Sequence, residues 1–256
     1  MPDIAWNGKV WGENYNWPDG GEEWSAAWGG SEAQWFGSLY PRLHRWLPAR
    51  RILEIAPGHG RWTKFLVTAC DEYLGIDLAE SCVAACRARF AGATHAHFIN
   101  NDGQSLHDAP DGSFDFIFSF DSLVHAERDV LERYIPQMLQ KLAPGGVAFI
   151  HHSNLLALMG PGGEPPTVLG QGRGSTVSAA TVAAMVEAGG GLVLVQEVID
   201  WLNTGMIDAM TTFGRPQDFP GHTPVHLTNP RFMEQAALIR EFQSPYGRLP
   251  RQPQNV

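Results

Sequence analysis

The chain has 256 residues, 44% of them apolar, enough to bury one substantial core, and a single domain is the simpler reading of that length. A formal charge of −9 with no Lys/Arg cluster excludes the concentrated positive field that nucleic-acid binding needs. The opening MPDIAWNGKVWGENYNW has neither the basic nor the apolar region of a signal peptide, and no later apolar run is long enough to span a bilayer, so a soluble cytoplasmic protein is expected.

Residues 1 to about 28 mix Gly, Asn, Asp and Trp without periodicity, which predicts an irregular arm. Seven of the nine tryptophans fall in the first 46 residues: Trp6, Trp11, Trp17, Trp24, Trp28, Trp35 and Trp46. Such rings either roof a ligand pocket or seal the core, and the sequence leaves both open. From Ser31, SEAQWFGSLYPRLHRWL begins with a Ser N-cap and spaces Trp35, Leu39, Leu43 and Trp46 at helical intervals, with a break expected at Pro41. Residues 1–46 read as a Trp-rich cap on a domain spanning 47–256.

Short apolar runs then alternate with amphipathic helices. RILEIA, EYLGID, THAHFIN, FDFIFSF and GVAFIHH read as strands; RWTKFLVTAC, AESCVAACRARF and the stretch from Arg128 to Leu142 read as helices. This order implies parallel strands with right-handed crossovers and helices on both faces. Beyond it, a Gly/Pro stretch predicts a lid-like insertion at about 155–176, SAATVAAMVEAG a helix, LVLVQEVIDWL and IDAMTTFG consecutive strands, and PRFMEQAALIREF a short helix. Cys70, Cys82 and Cys86 lack any metal-ligand or redox spacing and read as packed thiols.

The most informative motif is LEIAPGHGRWTKFL, in which a strand passes through Pro57-Gly58-His59-Gly60 into a helix, with glycines that admit positive φ and close ligand approach. Asp77 closes the next strand about 20 residues after Gly58, where a carboxylate accepts both ribose hydroxyls of an adenosine. Asn101-Asp102-Gly103 ends the third strand, where a polar side chain can meet the adenine amino group while Gly103 leaves room for the ring. All three fall at the carboxyl ends of successive strands, the ligand edge of an open α/β sheet. Thr63 occupies the place of the third glycine that a dinucleotide's pyrophosphate requires, which disfavours a nicotinamide cofactor.

On these residues, with SFDFIFSFDSLVH and KLAPGGVAFIHHS, the chain resembles the class I S-adenosylmethionine-dependent methyltransferases over roughly residues 51–213. The resemblance implies an α/β fold: a Rossmann-like αβα sandwich whose seven-stranded, mostly parallel sheet ends in an antiparallel hairpin. It implies S-adenosyl-L-methionine as cofactor, with Ala56, Gly58 and Gly60 lining the methionine arm, Asp77 the ribose, and Asp102 with Gly103 the adenine. Glu54, Leu78 and Ser119 are further candidates for the same site. Ala56 stands where the family usually has glycine.

Methyl transfer is an in-line displacement, so the protein aligns the nucleophile and, where needed, removes its proton. Such groups are expected at the ends of strands four and five. Asp121 and His125 are four residues apart and would share a face if a helix starts there, giving a carboxylate-held base; otherwise Asp121 caps the helix and His125 is packed. Of His151 and His152, strand alternation lets only one face the cleft, and His152 is favoured. No metal is expected, although Asp121, His152 and Asp208 lie near one rim. The expected function is methylation of an O or N atom of a small metabolite, in natural-product biosynthesis, with no nucleic-acid or membrane partner and self-association left open. The rivals are a nicotinamide-dependent oxidoreductase and a ligand-binding module of the same fold that has lost transfer.

Overall fold

The computed structural model describes residues 2–160 and 172–249. Its N-terminal segment is helical where an irregular arm is expected. Helix α1 (Ile4–Lys9) starts at Asp3, whose Oδ1 accepts the Trp6 N–H at 2.7 Å, and continues into a wide π-turn over Val10–Asn14. Gly8 and Gly12, weak helix formers in isolation, lie on the same face and let this helix approach the domain closely. A Cβ on Gly12 would stand 3.2 Å from Ala79 Cβ.

A 3-10 turn over Glu22–Trp28 leads to α2 (Ser31–Gln34), a π-turn over Trp35–Leu39 and α3 (Tyr40–Leu43). Pro41 falls in the first turn of α3, where its missing N–H is tolerated, so the expected break becomes the π-turn ahead of it. Gly30 takes the N-cap position expected for Ser31; the Ser31 hydroxyl instead donates to Glu22 and accepts from Lys64.

Strands β1 (Ala49–Ile55), β2 (Cys70–Asp77), β3 (Ala96–Asn100), β4 (Phe114–Ser119) and β5 (Leu142–Ser153) are parallel. Strand β6 (Leu192–Ile199) pairs antiparallel with β7 (Asp208–Gly214), which also runs antiparallel to β5, and β8 (Val225–Asn229) adds parallel to β6. The order is β3-β2-β1-β4-β5-β7-β6-β8, so the expected sheet and hairpin are present with one extra edge strand. β8 is short and exposed along most of its length, and it has no buried face to mark it in sequence.

The helix expected over RWTKFLVTAC is shorter than predicted: α4 (Thr63–Leu66) ends in a 3-10 turn, and Cys70 already belongs to β2. Helices α5 (Glu80–Arg89), α6 (Arg128–Lys141), α7 (Ala179–Ala188), α8 (Phe232–Phe242) and α9 (Ser244–Gly247) complete the layers. On one face of the sheet, Trp28, Trp35, Leu39 and Leu43 bury against Ile52, Phe116, Phe149 and Phe232. On the other, Leu131, Ile135 and Met138 of α6 and Val182 and Val186 of α7 cover Leu53, Ile117 and Ala148. Part of the expected insertion, residues 161–171, and the polar end past Leu249 lie outside the described residues. No helix among the described residues is long and apolar enough to cross a membrane.

Candidate active site

A cleft opens at the carboxyl ends of β1, β2 and β4. After Ile55 the backbone turns left-handed at Ala56, Gly58 and Gly60, with φ of 56°, 57° and 84°. Ala56 keeps this conformation at a cost of about 1 kcal/mol relative to glycine. Its N–H donates to Ile76 O at 2.7 Å, and its carbonyl accepts from Ser122 Oγ at 2.9 Å, so β2 and the loop after β4 hold the turn.

Asp77 closes β2 beside this turn, with Oδ2 accepting the Gly58 N–H at 3.0 Å and Oδ1 the Ala79 N–H at 2.9 Å. Burial pushes its carboxyl up to about 6, against the pull of those N–H groups. Leu78 and Gly103 extend the wall, and a Cβ on Gly103 would stand 3.1 Å from the Leu78 side chain and 3.3 Å from Ile4. Ala56, Gly58, Asp77, Leu78 and Gly103 therefore come together on one surface.

Four other cofactor candidates lie off that surface. Glu54 is buried beneath the turn, accepting hydrogen bonds from Thr63 Oγ1 at 2.7 Å and from the Tyr73 hydroxyl, and burial pushes it up to about 7. Thr63, where a dinucleotide fold would have glycine, is thus the partner of Glu54. Gly60 leaves space for Phe90, which a Cβ would meet at 2.5 Å, rather than for a ligand. Ser119 Oγ donates to Ile55 O at 2.9 Å and ties β4 to β1. Asp102 turns outward to accept the N–H groups of Gln104 and Ser105 at 3.0 and 2.7 Å, so its oxygens cap a loop outside the cleft.

At the other end of the cleft the expected Asp121–His125 pair does not form. Asp121 adopts φ of 65° and Leu123–His125 is a 3-10 turn, so the four-residue spacing does not place the two on one helical face. Asp121 Oδ2 instead accepts from Arg61 Nη2 at 2.7 Å. His125 lines the cleft, hydrogen-bonds Gly172 O through Nδ1 at 2.9 Å and packs on Trp11 with centroids 4.9 Å apart. Burial, with the nearby Arg173 charge, pushes its imidazole down to about 4, so it is neutral.

The preference for His152 over His151 is reversed. His152 is buried on the far face, held by Thr211 Oγ1 and Ser153 O at 2.8 Å each. His151 lies on the cleft side, stacked on Phe120 at 4.4 Å and packed against Trp201 at 4.9 Å, the two rings that separate it from the cavity. Its Nδ1 accepts the Asp121 N–H at 3.2 Å, and its Nε2 stands 3.3 Å from Asp208 Oδ2, poorly aligned for a hydrogen bond. Alternation separates the two histidines, but its phase is set by how β5 pairs with β7. Asp208 is gripped by Arg173, with Nε and Nη2 at 3.1 and 2.9 Å, and does not meet Asp121 and His152. Among the described residues no group of three or more His, Cys, Asp or Glu is placed to hold a metal ion.

Residues 52–146, which contain the glycine turn, Asp77, Gly103 and Asp121, match the family model of a methyltransferase domain. The fold is the Rossmann-like fold of S-adenosylmethionine-dependent methyltransferases. The fold of this chain is similar to that of the N-methyltransferase NodS from Bradyrhizobium japonicum in complex with S-adenosyl-L-homocysteine, at 18% identity and a TM-score of 0.54, covering 70% of this chain and 86% of that one. It is likewise similar to the CcbJ methyltransferase from Streptomyces caelestis (16% identity, TM-score 0.56, 78% and 100% covered). A third similar structure is an S-adenosylmethionine-dependent methyltransferase from Clostridium acetobutylicum (13%, 0.56, 72% and 91%). No curated protein matches the chain in sequence.

The N-terminal segment walls the cleft. Ile4, Trp11, Trp17 and Trp24 line it, while Trp28 and Trp35 sit in the core, so the tryptophan cluster divides between both expected roles. Trp17 stacks on His59 at 4.5 Å with planes 11° apart, and a Cβ on Gly58 would meet its ring at 2.8 Å. Asn7 Nδ2 donates to His125 O at 3.0 Å, joining the segment to the chemical end. Arg61, Arg173 and Trp201 also line the cleft and are not anticipated by sequence reasoning. Arg61 directly follows Gly60 in the turn motif, a usable signal; Arg173 lies in a Gly-rich stretch with no periodicity to mark it.

Proposed function

We propose that this protein transfers the methyl group of S-adenosylmethionine to an O or N atom of a small metabolite, as a tailoring enzyme of natural-product biosynthesis acting in the cytoplasm. A single continuous cleft carries this reading: Gly58, Asp77 and Gly103 line one end, and Asp121, His125 and Arg173 line the other. When bound, S-adenosylmethionine supplies an electrophilic methyl group on a sulfonium. The residues present fit it. Each Asp77 oxygen accepts one of the N–H groups described above and retains a lone pair for a ribose hydroxyl, and Gly58 and Gly103 line the cleft on either side of it. Ala56 and Leu78 shape the same wall, while Glu54, Gly60 and Ser119 support the turn from behind.

At the acceptor end, His125 Nε2 accepts a hydrogen bond from the N–H or O–H of the nucleophile and so orients it, because Nδ1 holds the ring proton against Gly172 O. Arg61 orients Asp121, and His151 supports Asp121 through its backbone N–H. Residues 1–46 serve as a cap whose tryptophans exclude water from the cleft, and residues 47–256 form the catalytic domain. The enclosed aromatic walls suit a small acceptor rather than a polymer.

Calorimetric titration with S-adenosylmethionine and S-adenosylhomocysteine tests the cofactor assignment. Micromolar binding is expected in the parent protein, weakened about tenfold or more in Asp77→Ala, a change of about 1.4 kcal/mol. Absence of binding in the parent, with binding of NADH instead, would sink it in favour of the nicotinamide rival.

A further inference from the structure

We infer that the buried Asp208–Arg173 pair is a positioning device that sets which nitrogen of His125 is presented to the acceptor. This rests on the proposed role of His125. A backbone carbonyl only accepts hydrogen bonds, so the 2.9 Å contact between His125 Nδ1 and Gly172 O fixes the ring proton on Nδ1 and leaves the lone pair on Nε2. The direction of the Gly172 carbonyl therefore decides the chemistry available at His125.

That carbonyl belongs to the residue immediately before Arg173. The Arg173 guanidinium is clamped by Asp208 through two bonds, at 3.1 and 2.9 Å, and lies over the Trp201 ring at 5.9 Å. Asp208 is fully buried, at 0% exposure, on β7, whose every residue is buried between β5 and β6. The peptide joining Gly172 to Arg173 is thus tied to the rigid middle of the sheet. A buried ion pair adds little net stability over a well-packed apolar pair, because the desolvation cost offsets the attraction. Two parallel bonds in a planar fork do restrict orientation.

The same segment has a second anchor. The Gly174 N–H donates to Val124 O at 2.8 Å, and the Ser175 and Thr176 N–H groups donate to Glu127 at 3.1 and 3.0 Å. These bonds press the segment onto the turn that carries His125, yet they begin two residues after Gly172. If they alone held the carbonyl, Arg173 would be dispensable for the tautomer.

Long-range ¹H–¹⁵N spectra of the histidine rings separate the two cases, since protonated and bare ring nitrogens differ widely in shift. The parent is expected to show His125 protonated on Nδ1 only. In Arg173→Met and in Asp208→Asn that single-tautomer signature should be lost, with signal appearing for a proton on Nε2. Arg173→Lys, which keeps the charge but not the fork, should be intermediate. Should the Met and Asn variants fail to fold, the Lys variant decides alone. An unchanged tautomer in a folded variant, or a parent protonated on Nε2, overturns the inference. Titration of S-adenosylhomocysteine into the parent keeps the two questions apart: absent binding would sink the cofactor reading, whereas intact binding together with an unchanged tautomer in the folded variants would sink only this one.

Discussion

Glu54 and Asp77 both end a strand beside the glycine turn, and both are buried, but they do different things. Asp77 faces the cleft; Glu54 lies beneath the turn with Thr63 and Tyr73 on its oxygen. Sequence spacing marks both as strand-end acids without telling which one faces a ligand, since that depends on the phase of each strand's pleat. The Glu54 carboxyl has an ordinary value of 4.5 and is pushed up to about 7 in the fold by burial. Native and unfolded chains are both protonated below the lower value and both ionised above the upper one, so the stability this group contributes falls as pH rises across that window. Glu54→Gln is therefore expected to flatten the decline in Tm between the ordinary value of 4.5 and about pH 7. A pH dependence of Tm identical to the parent's would contradict the assignment.

The N-terminal helical segment carries the largest departure from expectation at the level of elements. Its glycines depress helix propensity, and its tryptophans follow no amphipathic period because some face the cleft and others each other. Tertiary contact overrides local propensity here: Gly8 and Gly12 let α1 and the following turn approach Leu78 and Ala79. Gly12→Leu is expected to push this segment off the start of α5 and loosen the cleft wall at Trp11. Overpacking of this kind amounts to about 1–3 kcal/mol, so S-adenosylhomocysteine should bind roughly tenfold more weakly, measured by calorimetry. Parent-like affinity would mean that the wall is independent of the contact with Ala79.

Across the whole molecule, an ion pair joins the N-terminal segment to the far side of the sheet. Arg42 of α3 grips Glu197 of β6 with Nε and Nη2, both at 2.7 Å, and its guanidinium lies 5.4 Å from the Phe232 ring of α8. Burial raises the Glu197 carboxyl, but the Arg42 guanidinium outweighs it and holds the group below its ordinary value. The stability so gained is present above the unfolded value and lost as pH falls through the folded one. Arg42→Met leaves a largely buried carboxylate without its counter-charge, held only by Asn229 Nδ2 at 2.8 Å, and is expected to destabilise the fold by ~2 kcal/mol at neutral pH, lowering Tm, with a smaller deficit in acid. A deficit that does not shrink as the pH is lowered would assign the loss to packing on Phe232 instead.

Taken by itself, the sequence determined the strand–helix alternation, the parallel sheet with its closing hairpin, and the acid and glycines at the strand ends that mark the ligand edge. These depend on local periodicity and on turn geometry that only certain residues adopt. Tertiary structure alone decided which histidine of β5 lies toward the cleft, that Asp121 pairs with Arg61 and His125 with Gly172, and that the early tryptophans divide between cleft and core. Each of these joins residues far apart in the chain, through strand register and a left-handed turn at Asp121, and no spacing along the sequence encodes such a meeting.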